Sequence, residues 1–98
     1  MNKGQMVLKA QLPRGKLRLS NLEIVIAVKR GFVAVDAIDF VRGRLQRVGT
    51  TKVNRRIALS PPHRFINASN EVIFRVYRIG SKPAIVTNVG VSAIGRAR

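Results

Sequence analysis

The chain has 98 residues, with 19 Lys and Arg against four Asp and Glu, a formal net charge of +15 at pH 7. Hydrophobic residues make up 46% of it, too many for a disordered basic tail, so a single small domain with a modest and largely aliphatic core is expected. The absence of Cys excludes disulfides and thiolate metal sites, and no run of residues approaches the ~20 apolar positions of a membrane span. No stretch has the apolar core of a signal peptide, so a cytoplasmic protein is expected, nucleoid-associated if its partner is DNA.

Taken in chain order, residues 5–12 read as a strand. Pro13-Arg14-Gly15 supplies turn chemistry, because Pro presets its own φ and Gly accepts a positive one. Lys16 to Ser20 alternate polar and apolar, so the first twenty residues predict a hairpin with Lys16 and Arg18 on one basic face and Arg14 at its tip. Residues 22–29 (LEIVIAVK) are a short, β-branched apolar run, the pattern of a central strand buried on both faces. Residues 32–48 predict the one long helix. Ala34, Ala37, Ile38, Val41, Leu45 and Val48 recur at a 3.6-residue period, with Asp36 and Asp39 placed for the N-terminal end of the dipole and Gly49 as the cap. A strand at about 52–59 ends at Pro61-Pro62. Residues 60–70 form a loop, residues 71–79 (EVIFRVYRI) a strand, Gly80 to Pro83 a turn, and residues 84–91 a last strand. The final four residues read as a frayed tail. The expected fold class is α+β, a small mixed sheet with one main amphipathic helix packed on it (β-β-β-α-β-β-β) and an extended basic β-hairpin arm at 60–70. The alternative for that loop is an ordinary connection.

Catalysis has little to work with. His63 stands alone beside a diproline, and Asp36 and Asp39 could pair as metal ligands but read first as dipole complements and partners of Arg42. No glycine-rich phosphate loop or nucleophile elbow occurs. The chain is therefore expected to be no enzyme and to need no cofactor or metal. Phe65 and Tyr77 read as core or interface residues before base-stacking platforms. The triplet Asn67-Ala68-Ser69 matches a glycosylation sequon by chance.

The basic residues carry the functional signal. A compact domain at +15 repels itself, and nucleic acid is the commonest polyanion to neutralise it. Thirteen of the nineteen cations are Arg, which forks onto phosphates and base edges. They gather at turns and element ends. Arg14, Lys16 and Arg18 lie in the first hairpin, and Lys29 and Arg30 at the expected strand-to-helix junction, where free helix amides would add to a phosphate site. Arg42, Arg44 and Arg47 lie at the expected helix end, followed by Lys52, Arg55 and Arg56. Arg64 is in the long loop, and Arg75 and Arg78 are on the strand after it. Few Asn or Gln stand where bases could be read, so weak sequence specificity is expected.

Residues 23–45 (EIVIAVKRGFVAVDAIDFVRGRL) resemble the strand-loop-helix stretch of the Alba (Sac10b-like) family of archaeal nucleic-acid-binding proteins. Glu23 to Ala27 match the family's strand of type EIVIKA, and Gly31 stands in the loop. Ala34-Val35-Asp36 and Phe40-Val41-Arg42-Gly43-Arg44-Leu45 match its helix of type AVDTVEIVRNRF. A strand, a long loop and a second strand follow, as in the family's β-hairpin arm, so the resemblance spans residues 23–78. The family's preceding strand, lysine-bearing loop and long helix have no room in the first twenty residues. The resemblance implies a chromatin-type homodimer that binds duplex DNA, or RNA, with little sequence preference. An arm near Arg64 would reach the minor groove, with Arg42 and Arg44 on the body's contact surface. The alternatives are a ribosomal or other ribonucleoprotein component and a viral or structural nucleoprotein subunit.

Overall fold

The computed structural model describes residues 5–13 and 17–97, without the side chains of residues 17, 18, 96 and 97. Seven strands follow one another: β1 (Gln5–Gln11), β2 (Leu17–Arg30), β3 (Val33–Asp39), β4 (Arg44–Thr51), β5 (Arg55–Ala58), β6 (Glu71–Arg78) and β7 (Ile85–Ala97), with one turn of 3-10 helix, Pro62–Phe65, between β5 and β6. They form two antiparallel sheets, ordered β1-β6-β3-β4 and β5-β2-β7. Of the connections, β3 to β4 alone stays within one sheet; every other passes between sheets. This is a β-sandwich, not the α+β fold the sequence predicted, and among the described residues there is no α-helix.

The alternation of the strands fills the space between the sheets. Leu22, Ile24, Ile26 and Val28 of β2 meet Val33, Val35 and Ala37 of β3 and Val72, Phe74 and Val76 of β6, with Ile57, Leu59 and Phe65 closing the core. The continuous apolar run at 22–29 is thus a half-buried strand with its even-numbered residues inward, not one buried equally on both faces.

The expected helix at 32–48 is the β3–β4 hairpin. Two of the six residues of its apolar stripe, Val41 and Leu45, are 67% and 43% exposed, so the stripe does not face the core. Density of β-branched residues favours the strand, and the turn is decided at Asp39. Its Oδ1 accepts the N–H groups of Val41 and Arg42, each at 3.0 Å. Its carbonyl accepts Gly43 N–H at 2.7 Å, and Gly43 takes φ +69°. An Asp that caps the backbone two and three residues on makes a turn, and a Gly at positive φ closes it. Asp36 and Asp39 therefore complement no helix dipole, and Gly49 caps no helix.

Two further expectations are corrected. β1 and β2 do not form a hairpin with each other: β1 pairs β6 and β2 pairs β5 and β7. Residues 60–70 are no extended arm. They fold back on the sandwich, with Phe65 buried and Phe40 N–H donating to the Arg64 carbonyl at 2.7 Å. The stretch of β2 before Leu22 continues instead as a two-stranded ribbon with the end of β7, Leu17 opposite Ala97 and Arg18 opposite Arg96. The tail expected to fray up to residue 97 is thereby strand.

Candidate nucleic-acid interface

The four carboxylates sort the cations. Glu23 pairs with Arg56 at 3.2 Å and Glu71 with Lys9 at 3.5 Å. Asp36, 5% exposed on the outer face of β3, is held from both neighbouring strands: Arg47 Nε reaches Oδ1 at 2.8 Å and Arg75 reaches Oδ2 at 2.9 Å. The register places this row, since Asp36 stands opposite both Arg47 and Arg75. Tyr77 completes the group. Arg47 Nη2 donates to its hydroxyl, and the guanidinium carbons of Arg47 and Arg75 lie 5.5 and 5.1 Å from its ring centre. The hydrogen bonds Arg47 donates to Asp36 and Tyr77 raise its pKa above the ordinary value.

Asp39 is fully buried, with Arg64 Nη2 at 3.0 Å and Arg42 Nε at 3.9 Å from Oδ2. Burial pushes its carboxyl up, but the Arg42 N–H, the Arg64 charge, the Val41 N–H and the Arg42 charge together hold it below the usual aspartate value. The predicted Arg42–Asp39 partnership is present, in a turn instead of on a helix. Arg42, Arg47, Arg56, Arg64 and Arg75, all predicted to bind nucleic acid, are therefore engaged with carboxylates of the same chain.

The described cations outside these pairs are Lys29, Arg30, Arg44, Lys52, Arg55, Arg78 and Lys82. All but Arg44 lie at one end of the sandwich, where β2, β4 and β6 end and β3, β5 and β7 begin. Lys29, Arg30, Lys52 and Lys82 line a cleft of about 540 Å³ with Phe32, Gly31, Gly80 and Ser81. Arg55 stands beside it, its guanidinium donating to the Thr50 carbonyl at 2.7 Å. Arg78 lines an adjoining, mainly apolar cleft with Met6, Val76 and Ile85.

Three loops build the cationic cleft, and each is fastened. Gly31 takes φ +89°, and a Cβ built there would stand 2.5 Å from the Pro83 carbonyl oxygen and 2.6 Å from Ala84 Cα. Only glycine lets the Lys29–Arg30 turn close on the β6–β7 loop that carries Lys82. Ile79 N–H donates to the Phe32 carbonyl at 3.0 Å, tying the same loop to the start of β3. In the β4–β5 loop, buried Thr51 donates from Oγ1 to the Val53 carbonyl at 2.7 Å and accepts Val53 N–H at 3.1 Å. Asn54 Oδ1 accepts Val28 N–H at 3.1 Å, so Lys52 is held against the end of β2. The ammonium of Lys52 lies 5.2 Å from the centre of the Phe32 ring.

Lys29, Arg30, Lys52, Arg55 and Arg78 were expected from sequence and come together at this end, though at a strand-to-strand turn with no helix amides beside it. Arg44 lies at the opposite end of β4. Arg14 and Lys16 lie outside the described residues, and Arg18 is placed only by its backbone. Lys82 and Phe32 were missed. Lys82 sat inside a turn signal, and Phe32 was counted as part of a helix; the usable signal was that Gly31 and Gly80 each flank a cation-bearing turn. Phe65 is core, as expected, while Tyr77 lies between two guanidinium groups. Among the described residues no three His, Asp or Glu side chains converge.

No family model, curated protein or solved structure matches the chain. The residues that match the Alba strand lie in β2, whereas those that match its helix form β3, its turn and the start of β4.

Proposed function

We propose that this chain binds nucleic acid through its phosphate backbone, with little sequence preference and without catalysis. One observation carries the reading. All four acids are engaged by internal cations, and six cations left without a carboxylate gather at one end of the sandwich. A +15 chain that holds such a concentration of like charge pays for it in self-repulsion, and the phosphates of a polyanion relieve it. The ribbon of β2 and β7 brings further Arg positions, 18 and 96, opposite one another at the far end. Asn and Gln, the side chains that pair with the adenine edge, are absent from the lining of the cleft, which supports recognition of backbone over sequence.

Fluorescence anisotropy with labelled duplex DNA, single-stranded DNA and duplex RNA at about 50 and 200 mM salt tests this. With about six phosphates neutralised, affinity is expected to fall roughly a thousandfold between the two conditions, equally for unrelated sequences. Binding indifferent to salt, or none to any of the three, overturns the reading.

A further inference from the structure

We propose that the cationic cleft receives one unpaired nucleotide, its phosphate held by Lys29, Arg30 and Lys82 and its base stacked on Phe32. The inference rests on the nucleic-acid reading and narrows it to an unpaired or terminal nucleotide, as opposed to the side of a duplex.

Four features of the cleft point this way. It is an open cleft, and its volume of about 540 Å³ suits a small ligand, whereas the flank of a duplex asks for a much broader contact. Its cations come from the end of β2 and from two separate loops, so they converge on one volume instead of following a line of phosphates. No carboxylate of the described residues competes for them, since each of the four is engaged elsewhere. Lastly, an aromatic ring stands within this charge. Phe32 is partly exposed at the cleft, and the Lys52 ammonium lies over its ring, 5.2 Å from the centre. A phosphate site alone has no use for the ring. A base has a π-face that stacks on Phe32 and a phosphate that the surrounding cations hold.

The loops are fastened before any ligand arrives. Gly31 packs against Pro83 and Ala84, Phe32 O accepts Ile79 N–H, and Thr51 and Asn54 fix the Lys52 loop. The cations are thus held close to one another, so binding costs little ordering of backbone.

The test is an NMR titration of the full chain with adenosine monophosphate and, separately, inorganic phosphate, following the amides of Gly31, Phe32, Gly80, Ser81 and Lys82. An oligonucleotide titration runs in parallel. The nucleotide is expected to shift these amides and to bind about tenfold tighter than phosphate. Phe32→Leu, which keeps the apolar volume but removes the π-face, is expected to abolish that advantage while leaving phosphate binding unchanged. Lys82→Gln weakens both ligands. Equal affinity for nucleotide and phosphate, or a Phe32→Leu variant with unaltered nucleotide preference, overturns the stacked-nucleotide inference. Oligonucleotide binding that persists in that case leaves the broader nucleic-acid reading standing. Nucleotide binding without any oligonucleotide binding removes the broader reading and retains the cleft as a free-nucleotide site. A preference for duplex over single strand that ignores Lys29→Gln and Lys82→Gln overturns the cleft as the nucleic-acid contact.

Discussion

The outer face of β3, β4 and β6 and the end of the sandwich are both rich in Arg and Lys, and they use the charge in opposite ways. On the outer face Asp36 takes Arg47 and Arg75, which flank Tyr77, so these four groups are satisfied within the chain. At the end cleft Lys29, Arg30 and Lys82 have no carboxylate, and Lys52 has only the face of Phe32. A cation that already holds a buried carboxylate has little left for a ligand, because releasing it leaves a charge uncompensated in a poorly solvated place. Density of basic residues is therefore a poor guide to a binding surface. What marks one is density of basic residues after the acids have been assigned.

The comparison breaks first, and by the largest effect, at the cleft. Neutralising Lys29, Arg30, Lys52 and Lys82 together to Gln is expected to lower single-strand affinity roughly a thousandfold at about 50 mM salt, and to reduce the slope of log K against log salt by about 3. Thermal denaturation is expected to hold steady or rise, because self-repulsion falls. An unchanged salt slope would place the interface elsewhere.

The outer face should answer in the other currency. Asp36→Asn leaves two guanidinium groups facing each other and is expected to cost about 2 kcal/mol in urea denaturation, less than for a fully buried pair because both Arg partners are partly exposed. Its nucleic-acid affinity is expected to change less than threefold. If Asp36→Asn strengthens binding tenfold, Arg47 and Arg75 are latent ligands and the division between the two regions fails.

Gly31→Ala tests whether the cleft depends on its fastening. The substitution strains a φ of +89° and drives a Cβ into Pro83 and Ala84. A loss of about 1–3 kcal/mol in stability is expected, together with weaker binding measured in the same preparation below its unfolding transition. Full affinity in a folded Gly31→Ala protein would show that the loops need not be held together.

Acid acts through Asp39. The folded pKa of Asp39 lies below its ordinary value, so its contribution is complete at neutral pH. That contribution declines as pH falls through the ordinary carboxylate range, and is lost below the folded pKa. Stability measured from about pH 6 to pH 2 should therefore drop below about pH 4. Asp39→Asn should flatten that limb, whereas the quadruple cleft variant should keep it. The smallest effect is expected at Arg44, isolated at the other end of β4: Arg44→Gln should lower affinity no more than about threefold and the salt slope by less than 1. A larger loss would extend the interface beyond the cleft.

Strand content was legible where alternation or β-branched runs stood between turn residues with no competing helical period. β1 and β6 were expected to within a residue, and the Pro61-Pro62 stop after β5 is present, because these are local properties of the chain. The β3–β4 segment was misread because its apolar residues satisfy a helical period and a strand alternation at once. Val33, Val35 and Ala37 alternate inward while Ala34, Ala37, Ile38 and Val41 repeat at helical spacing, and periodicity alone does not choose between them. The choice was made by neighbours: β6 pairs with β3 from Val33 to Ala37, and residues 33–37 are all buried, as a central strand requires. The true signal was short, Asp39 followed four residues later by Gly43, a turn of its own.

Composition and charge by themselves determined that this chain folds around an aliphatic core and carries an excess of cations, since both depend on which residues are present and not on where they go. The positions of most strands followed from local pattern. Tertiary structure alone decided which cations remain for a partner. Asp36 meets Arg75 across 39 residues of chain and Asp39 meets Arg64 across 25, while Lys29, Lys52 and Lys82 converge from the end of β2 and two loops. Such pairings are set by strand register and sheet order, which arise from the packing of the whole core, and no window of sequence contains them.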